Sequence, residues 1–236
     1  TVAPMPYARA HWFLLIALAV IVVGFWPTFF RSPGLNDSAH MLHGVTATLW
    51  VVILVVQSLL ISRRRRTWHR RVAKGALLLL PVLVVSGLYM IKVMFANQQM
   101  PEFMLPLLAY INFTALFLLL LMVGLGLSSV RRPAAHVRFM TATPLLLSMP
   151  PPLTRLYAFE LPPTLDFPTA LHLGFITDEI VCLLLILADR RIGERHLAWP
   201  LSLLFTGAVH ASMFEVSASD AWSAFTRWYV NLPIWL

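Results

Sequence analysis

Seven apolar runs, at residues 11–30, 38–62, 71–95, 104–128, 135–157, 167–188 and 198–216, constrain this chain more than any other feature. A helix crossing about 30 Å of hydrocarbon needs roughly 20 apolar residues in a row, and each run meets or nearly meets that length. The connections are short, so residues 1–216 read as one bundle without an extramembrane domain or an internal repeat. Composition closes the alternatives. Of 236 residues, 59% are hydrophobic and 12% charged, against about a quarter charged in an ordinary soluble domain. Too little polar surface remains to cover such a core. With Gly at 10 and Cys at 1, collagen-like and disulfide-rich folds are excluded as well. The first run is too long for the apolar part of a cleaved signal and lacks a small-residue cleavage pattern, so it is expected to span. The expected fold class is all-α, a seven-transmembrane-helix bundle.

Charge distribution gives the orientation. A net charge of +8 invites a nucleic-acid reading, but the basic residues cluster between apolar runs, as topology signals do. One side collects Arg9, then Arg63, Arg64, Arg65, Arg66, Arg70, Arg71 and Lys74, then Arg131, Arg132 and Arg138, then Arg190, Arg191 and Arg195, fourteen in all. The other side has four: Arg31, Lys92, Arg155 and Arg227. By the positive-inside rule the first side is cytoplasmic, which puts the N-terminus inside and the C-terminus outside. The lipid bilayer, not nucleic acid, is the expected partner. Residues 217–236 are too polar to span. Their Trp222, Phe225, Trp228, Tyr229, Leu232 and Trp235 recur at helical spacing, which suits a helix lying in the outer interface. A plain extension of the last span, ending in an aromatic belt, is the alternative.

Ionisable side chains at membrane depth are costly unless paired or hydrated, so each is a candidate functional residue. They concentrate in the outer half. His40 and His43 open the second run three residues apart and share a face. His172 lies early in the sixth run and His210 late in the seventh, which brings four histidines from three helices to one layer. Asp178 and Glu179 follow deeper on the sixth run. His172 and Glu179, seven residues apart, share a face, whereas Asp178 points about a third of a turn away. In the fifth run Pro150, Pro151 and Pro152 remove three donors in succession and are expected to end the helix inside the membrane. Backbone freed at that depth needs a buried or watered cavity. Arg155 follows, placed to cap that cavity, pair with Asp178 or Glu179, hold an anionic group, or snorkel outward. At the inner edge, His69 and His136 stand beside Arg70, Arg71 and Arg138, where a solvated, headgroup-binding rim is the ordinary role.

His43-Gly44, Gln57, Arg63, His69-Arg70, Gly75 and Gly87, followed by His136-x-Arg138-x-Met140-Thr141 and Arg155, form an ordered set over roughly residues 40–157. In this set the chain resembles a family of bacterial inner-membrane proteins of unknown function. The resemblance implies a multi-pass protein of the bacterial inner membrane and draws attention to His43, Gln57, His69, His136 and Arg155, but carries no chemistry with it. More loosely, histidines near both membrane faces make the chain similar to diheme b-type cytochromes.

Three functions are consistent with these residues. The first is redox or metal binding. Haem b takes two axial ligands from different helices at one depth, which His40 or His43 with His172 or His210 would supply, with His69 and His136 for an inner haem. For a transition-metal ion, the outer histidines His40, His43, His172 and His210 with Glu179 or Asp178 would complete the shell; a quinone is a natural partner for electron transfer. The second is an accessory subunit of a larger membrane complex or homo-oligomer, with the polar residues as interhelical hydrogen bonds. The third is a proton-coupled transporter, in which a broken helix lies beside membrane-depth carboxylates. A retinal site is set aside, because the lysines are Lys74 and Lys92 and neither lies in the last run.

Overall fold

In hydrocarbon every backbone N–H and C=O must find its partner within the chain, and an apolar run satisfies that requirement by coiling into a helix. The computed structural model describes residues 9–31, 37–97, 101, 103–146, 149–161 and 165–233, and every regular element among them is helical. In chain order these are α1 (Ala10–Gly24), α2 (Ser38–Ser62), α3 (Arg66–Asn97), α4 (Met104–Ser128), α5 (Pro133–Leu146), α6 (Pro150–Arg155), α7 (Phe167–Arg191), α8 (Ala198–Ser217) and α9 (Asp220–Val230). Wider π-helical turns, Trp26–Phe30 and Leu156–Glu160, extend α1 and α6.

Four helices, α2, α3, α4 and α7, are long and apolar enough to cross a membrane among the described residues, and the α8–α9 pair makes five if counted as one bent span. Side chains such as Ile16, Leu78 and Leu204 stand 62%, 75% and 71% exposed on the outer surface of the bundle. Such a shell suits lipid and would aggregate in water.

The helix ends follow local chemistry. Asp37 caps α2 by accepting from His40 N at 2.9 Å, and Asp166 caps α7 by accepting from Thr169 N at 3.1 Å. The α2–α3 hairpin turns at Arg64, whose φ is +59°, and α3 begins at Arg66, five residues before the apolar run at 71. Its first turns therefore carry arginines beyond the apolar stretch. The fifth run is broken, but not where the prolines alone would break it. Helix α5 stops at Leu146, and Pro150, Pro151 and Pro152 open α6, in the first turn, where a missing N–H costs nothing. Pro144, inside α5, leaves the carbonyl of Met140 without its usual donor. The Thr143 hydroxyl donates to that carbonyl at 2.8 Å instead.

Helix α6 lies against α7 and α1, and α7 in turn lies against α8. Glycines permit the closest of these approaches. A Cβ on Gly24 would come within 2.5 Å of the Pro152 carbonyl, and one on Gly174 within 2.8 Å of Thr154 Oγ1. At the arginine-rich end of the bundle Arg138 on α5 is wholly buried and makes a bidentate pair with Asp189 on α7, at 2.7 and 2.8 Å. Arg138 is thus not part of a solvated rim, because its charge is neutralised inside the bundle.

Helix α9 turns 86° away from α8, so the tail is a separate helix and not a straight extension of α8. Its aromatic face docks on α3 and α4. Trp222 Nε1 donates to the Pro106 carbonyl at 2.9 Å and the Tyr229 hydroxyl to the Leu88 carbonyl at 2.7 Å, while Phe113 meets Trp222, Phe225 and Tyr229 edge-on. Trp228 stays exposed. Trp235, read with this aromatic set, lies outside the described residues.

Candidate functional site on helices α7 and α8

Residues seven apart on a helix return to the same face, so His172 and Glu179 both look from α7 toward α8. His210 reaches between them from α8. Its Nδ1 lies 2.8 Å from Glu179 Oε1, and its Nε2 lies 2.9 Å from His172 Nδ1. The three side chains form one continuous hydrogen-bonded line. Its proton order follows from the carboxylate end. When Glu179 is ionised it only accepts, and the line then runs one way: His210 Nδ1–H donates to Glu179 and His210 Nε2 accepts from His172 Nδ1–H. The outward nitrogen of the line is then His172 Nε2.

Packing holds this geometry. Phe175 stacks on the His210 ring at 5.0 Å and 17°, and the ring of Phe214 lies 5.3 Å from that of His172. The His210 and Glu179 side chains are 15% and 24% exposed. They open onto a shallow, exposed groove that is otherwise lined by apolar residues such as Leu204, Gly207 and Phe214.

Asp178, one residue before Glu179, has a different environment. It is 1% exposed, and neither carboxyl oxygen has a hydrogen-bond partner among the described residues. Gly174, one turn earlier on that face, touches Pro150 and Thr154 of α6. Beside the break, Pro150 and Pro151 line a small void of about 30 Å³ together with Phe175 and Thr206, room for about one water. Arg155 meets neither carboxylate. Its guanidinium donates to the Pro151 carbonyl at 3.2 Å and sits over the Phe25 ring at 4.5 Å.

The remaining histidines lie elsewhere. His40 is held by its own helix cap, with Nδ1 2.7 Å from Asp37 Oδ2. Burial alone would push the Asp37 carboxyl up, but the bonds from the His40 backbone and ring outweigh it and hold the group below its ordinary range. His43 faces α3, where its Nδ1 lies 3.4 Å from the Ser86 hydroxyl, itself 3.2 Å from Thr46 Oγ1. Of the four histidines expected in one layer, His172 and His210 are joined, while His40 and His43 bond within α2 and α3. At the arginine-rich end His136 Nδ1 donates to the Gly126 carbonyl at 2.7 Å. His69 Nδ1 and the Gln57 Oε1 are buried without partners among the described residues. Among the described residues, no three His, Cys, Asp or Glu side chains stand together as a metal shell.

Sequence spacing pairs His172 with Glu179 but misses two things: that His210 bridges them, and that His11 has a buried, unpartnered Nδ1 in α1. Depth along the runs puts His210 in one layer with His172, but no spacing rule says which helix neighbours which, so the bridge itself is not legible in the sequence. No family model matches this chain, and neither the curated proteins nor the solved structures contain a match to it.

Proposed function

We propose that this chain is a seven-span protein of the bacterial inner membrane, N-terminus inside, that passes protons through the Glu179–His210–His172 line. The observation that carries the proposal is the unbroken hydrogen-bonded sequence His172, His210, Glu179. A proton arriving at His172 Nε2 lets His172 release its Nδ1 proton to His210 Nε2. His210 then releases its Nδ1 proton to Glu179. Each imidazole ends neutral with its proton on the opposite nitrogen, and Glu179 ends as the acid. Such Asp, Glu and His chains are the usual intramembrane proton route. The fifth span is α5 with α6, the first is α1 with its π-helical turn, and the asymmetry of fourteen basic residues against four supports the orientation. A lipid-dissolved quinone suits the open apolar groove beside this line, having an apolar body and oxygens that exchange protons with imidazole and carboxyl groups.

In proteoliposomes, Glu179→Gln is expected to abolish pH-dependent proton flux, since an amide cannot carry the transferred proton. Flux equal to that of the unaltered protein would overturn the proposal.

A second reading, binding of a transition-metal ion or haem b, is favoured by one feature. Glu179 stands behind His210 as a carboxylate does behind a metal-ligating imidazole. His172 Nδ1 and His210 Nε2, 2.9 Å apart, suit two cis ligands of a small ion. Two axial ligands of one haem iron would stand about 4 Å apart, at roughly 2 Å per metal–nitrogen bond, so haem needs these rings to separate. His69 and His136 are the inner alternative. An absorption spectrum with metal analysis on the native preparation decides: a Soret band or stoichiometric metal lost in His172→Ala supports this reading, and a colourless, metal-free protein removes it.

A further inference from the structure

We propose that the arginine-rich end of helices α1, α2 and α3 binds an anionic phospholipid whose headgroup carries free hydroxyls, as phosphatidylglycerol does. Exposed arginines take the phosphate, and His11, Gln57 and His69 take the hydroxyls. The site is separate from the α7–α8 line and does not rest on it. Its floor is three polar atoms, His11 Nδ1, Gln57 Oε1 and His69 Nδ1, each buried without a partner among the described residues. Gln57 as a whole is 9% exposed. Packing sets the first two opposite each other. Leu14 of α1 shares a core cluster with Leu54 of α2, and Ala17 shares another with Val51. The two helices are therefore antiparallel neighbours in a register where three residues forward on one match three back on the other. The next such step, toward the arginine-rich end, brings His11 opposite Gln57. His69 joins from α3, beyond the Arg64 turn and close to Gln57.

The chemistry of these atoms selects the headgroup. Gln57 Oε1 only accepts, and an imidazole nitrogen donates or accepts according to its tautomer. A phosphate diester oxygen has no proton to give Gln57. An ammonium headgroup has no lone pair for an imidazole N–H, and it meets the arginines as a like charge. A hydroxyl donates to Gln57 and accepts from an imidazole N–H at once. The rim supplies the anion site. Arg9, Arg63, Arg65, Arg66 and Arg70 are all exposed at this end. Residues 1–101 contain one acidic side chain, Asp37, at the opposite end of α2, so these arginines have no carboxylate on their own helices to pair with. Trp12 and Trp68 stand 60% and 51% exposed beside them, and the Arg71 guanidinium lies 5.1 Å from the Trp68 ring. Exposed tryptophans of this kind mark the headgroup level of a bilayer. Arginines alone attract any anionic lipid; the buried Gln57 oxygen between two imidazoles is what distinguishes one that carries hydroxyls.

Native mass spectrometry of the full chain in detergent, titrated with single lipids, tests this. The probes are phosphatidylglycerol, phosphatidylpropanol, which has the same charge and no headgroup hydroxyl, and soluble glycerol phosphate. The unaltered chain is expected to bind phosphatidylglycerol about tenfold more tightly than phosphatidylpropanol, the difference that lost hydrogen bonds to buried groups make. That comparison needs no variant. Gln57→Leu should erase the preference while leaving phosphatidylpropanol binding as it was, and His11→Phe repeats the test from α1 should Gln57→Leu not fold. Arg66→Gln with Arg70→Gln should weaken both lipids alike. Equal binding of the two lipids by the unaltered chain overturns the inference. A preference that survives in both Gln57→Leu and His11→Phe overturns the placing of the site. Displacement of the lipid by glycerol phosphate at equal concentration overturns it in favour of a soluble phosphate.

Discussion

His210 is the one residue of the α7–α8 line that uses both ring nitrogens, one toward Glu179 and one toward His172. Removing it separates the carboxylate from the outer imidazole, whereas removing His172 only shortens the line. His210→Ala is therefore expected to reduce proton flux by about a hundredfold or more, and His172→Ala by less, with water taking the lost position. Equal effects of the two variants would mean that the rings do not act in series. Arg138 presents a different residue-scale problem. Its pair with Asp189 is buried, and breaking one side of a buried pair typically costs about 3 kcal/mol because the other charge is stranded. Arg138→Met or Asp189→Leu alone should lower the thermal midpoint in detergent, and the double variant should recover much of the loss. A double variant as unstable as either single one would refute this account. What the sequence disclosed here follows from its reach along one helix. The seven-residue spacing of His172 and Glu179 puts them on one face, but His210 in between, Asp189 beneath Arg138 and the isolation of Asp178 depend on neighbouring helices.

Among the elements, α6 owes its position to absent side chains. A Cβ at Gly174 would lie 2.8 Å from Thr154 Oγ1 and 3.0 Å from the Pro150 carbonyl, closer than the backbone can yield without α6 and α7 separating. Gly174→Ala should cost about 1–3 kcal/mol, as overpacking does. Gly75, where nothing lies within 4 Å, is the control: Gly75→Ala should stabilise α3 by about 0.5–1 kcal/mol. Urea or thermal titration of both variants would test the contrast, and a harmless Gly174→Ala would show that α6 is not held this way. The start of α7 depends on charge. The hydroxyl and N–H of Thr169 donate to Asp166 and hold its carboxyl below the ordinary range. A group whose folded value is depressed stabilises above its unfolded value and loses that contribution as pH falls through the folded one. Below about pH 4, amide exchange in the first turn of α7 should quicken, and Asp166→Asn should flatten that dependence. The apolar runs locate most helices to within a few residues because hydrocarbon leaves the backbone no other choice. The α5–α6 break was harder to place, since prolines stop a helix or start one according to which side of the gap they occupy.

At the scale of the whole molecule, orientation depends on the arginine-rich turns, and the buried Arg138 weakens that count by one charge without reversing it. The aromatic tail is also accounted for within the chain: α9 spends Trp222 and Tyr229 on α3 and α4, which leaves Trp228 as its main outward aromatic. The bundle's sidedness can be measured directly because the chain has one cysteine, Cys182, which is fully buried. An impermeant maleimide should therefore leave the unaltered protein unmarked in intact cells. The turns at Arg64 and Gly193 are joined by helices to the opposite end from Ser219. If the basic turns face the cytoplasm, Ser219→Cys should react from outside in intact cells, while Arg64→Cys and Gly193→Cys should react only after permeabilisation. The same test bears on the proton line, because His172 lies in the early turns of α7, whose far end leads to the Gly193 turn. Reaction of Arg64→Cys in sealed cells would invert the protein and make His172 the inner end of the line. Reaction of Arg64→Cys and Ser219→Cys from the same side would break the alternation of spans itself, and with it the placing of α7 and α8 as neighbours crossing one membrane.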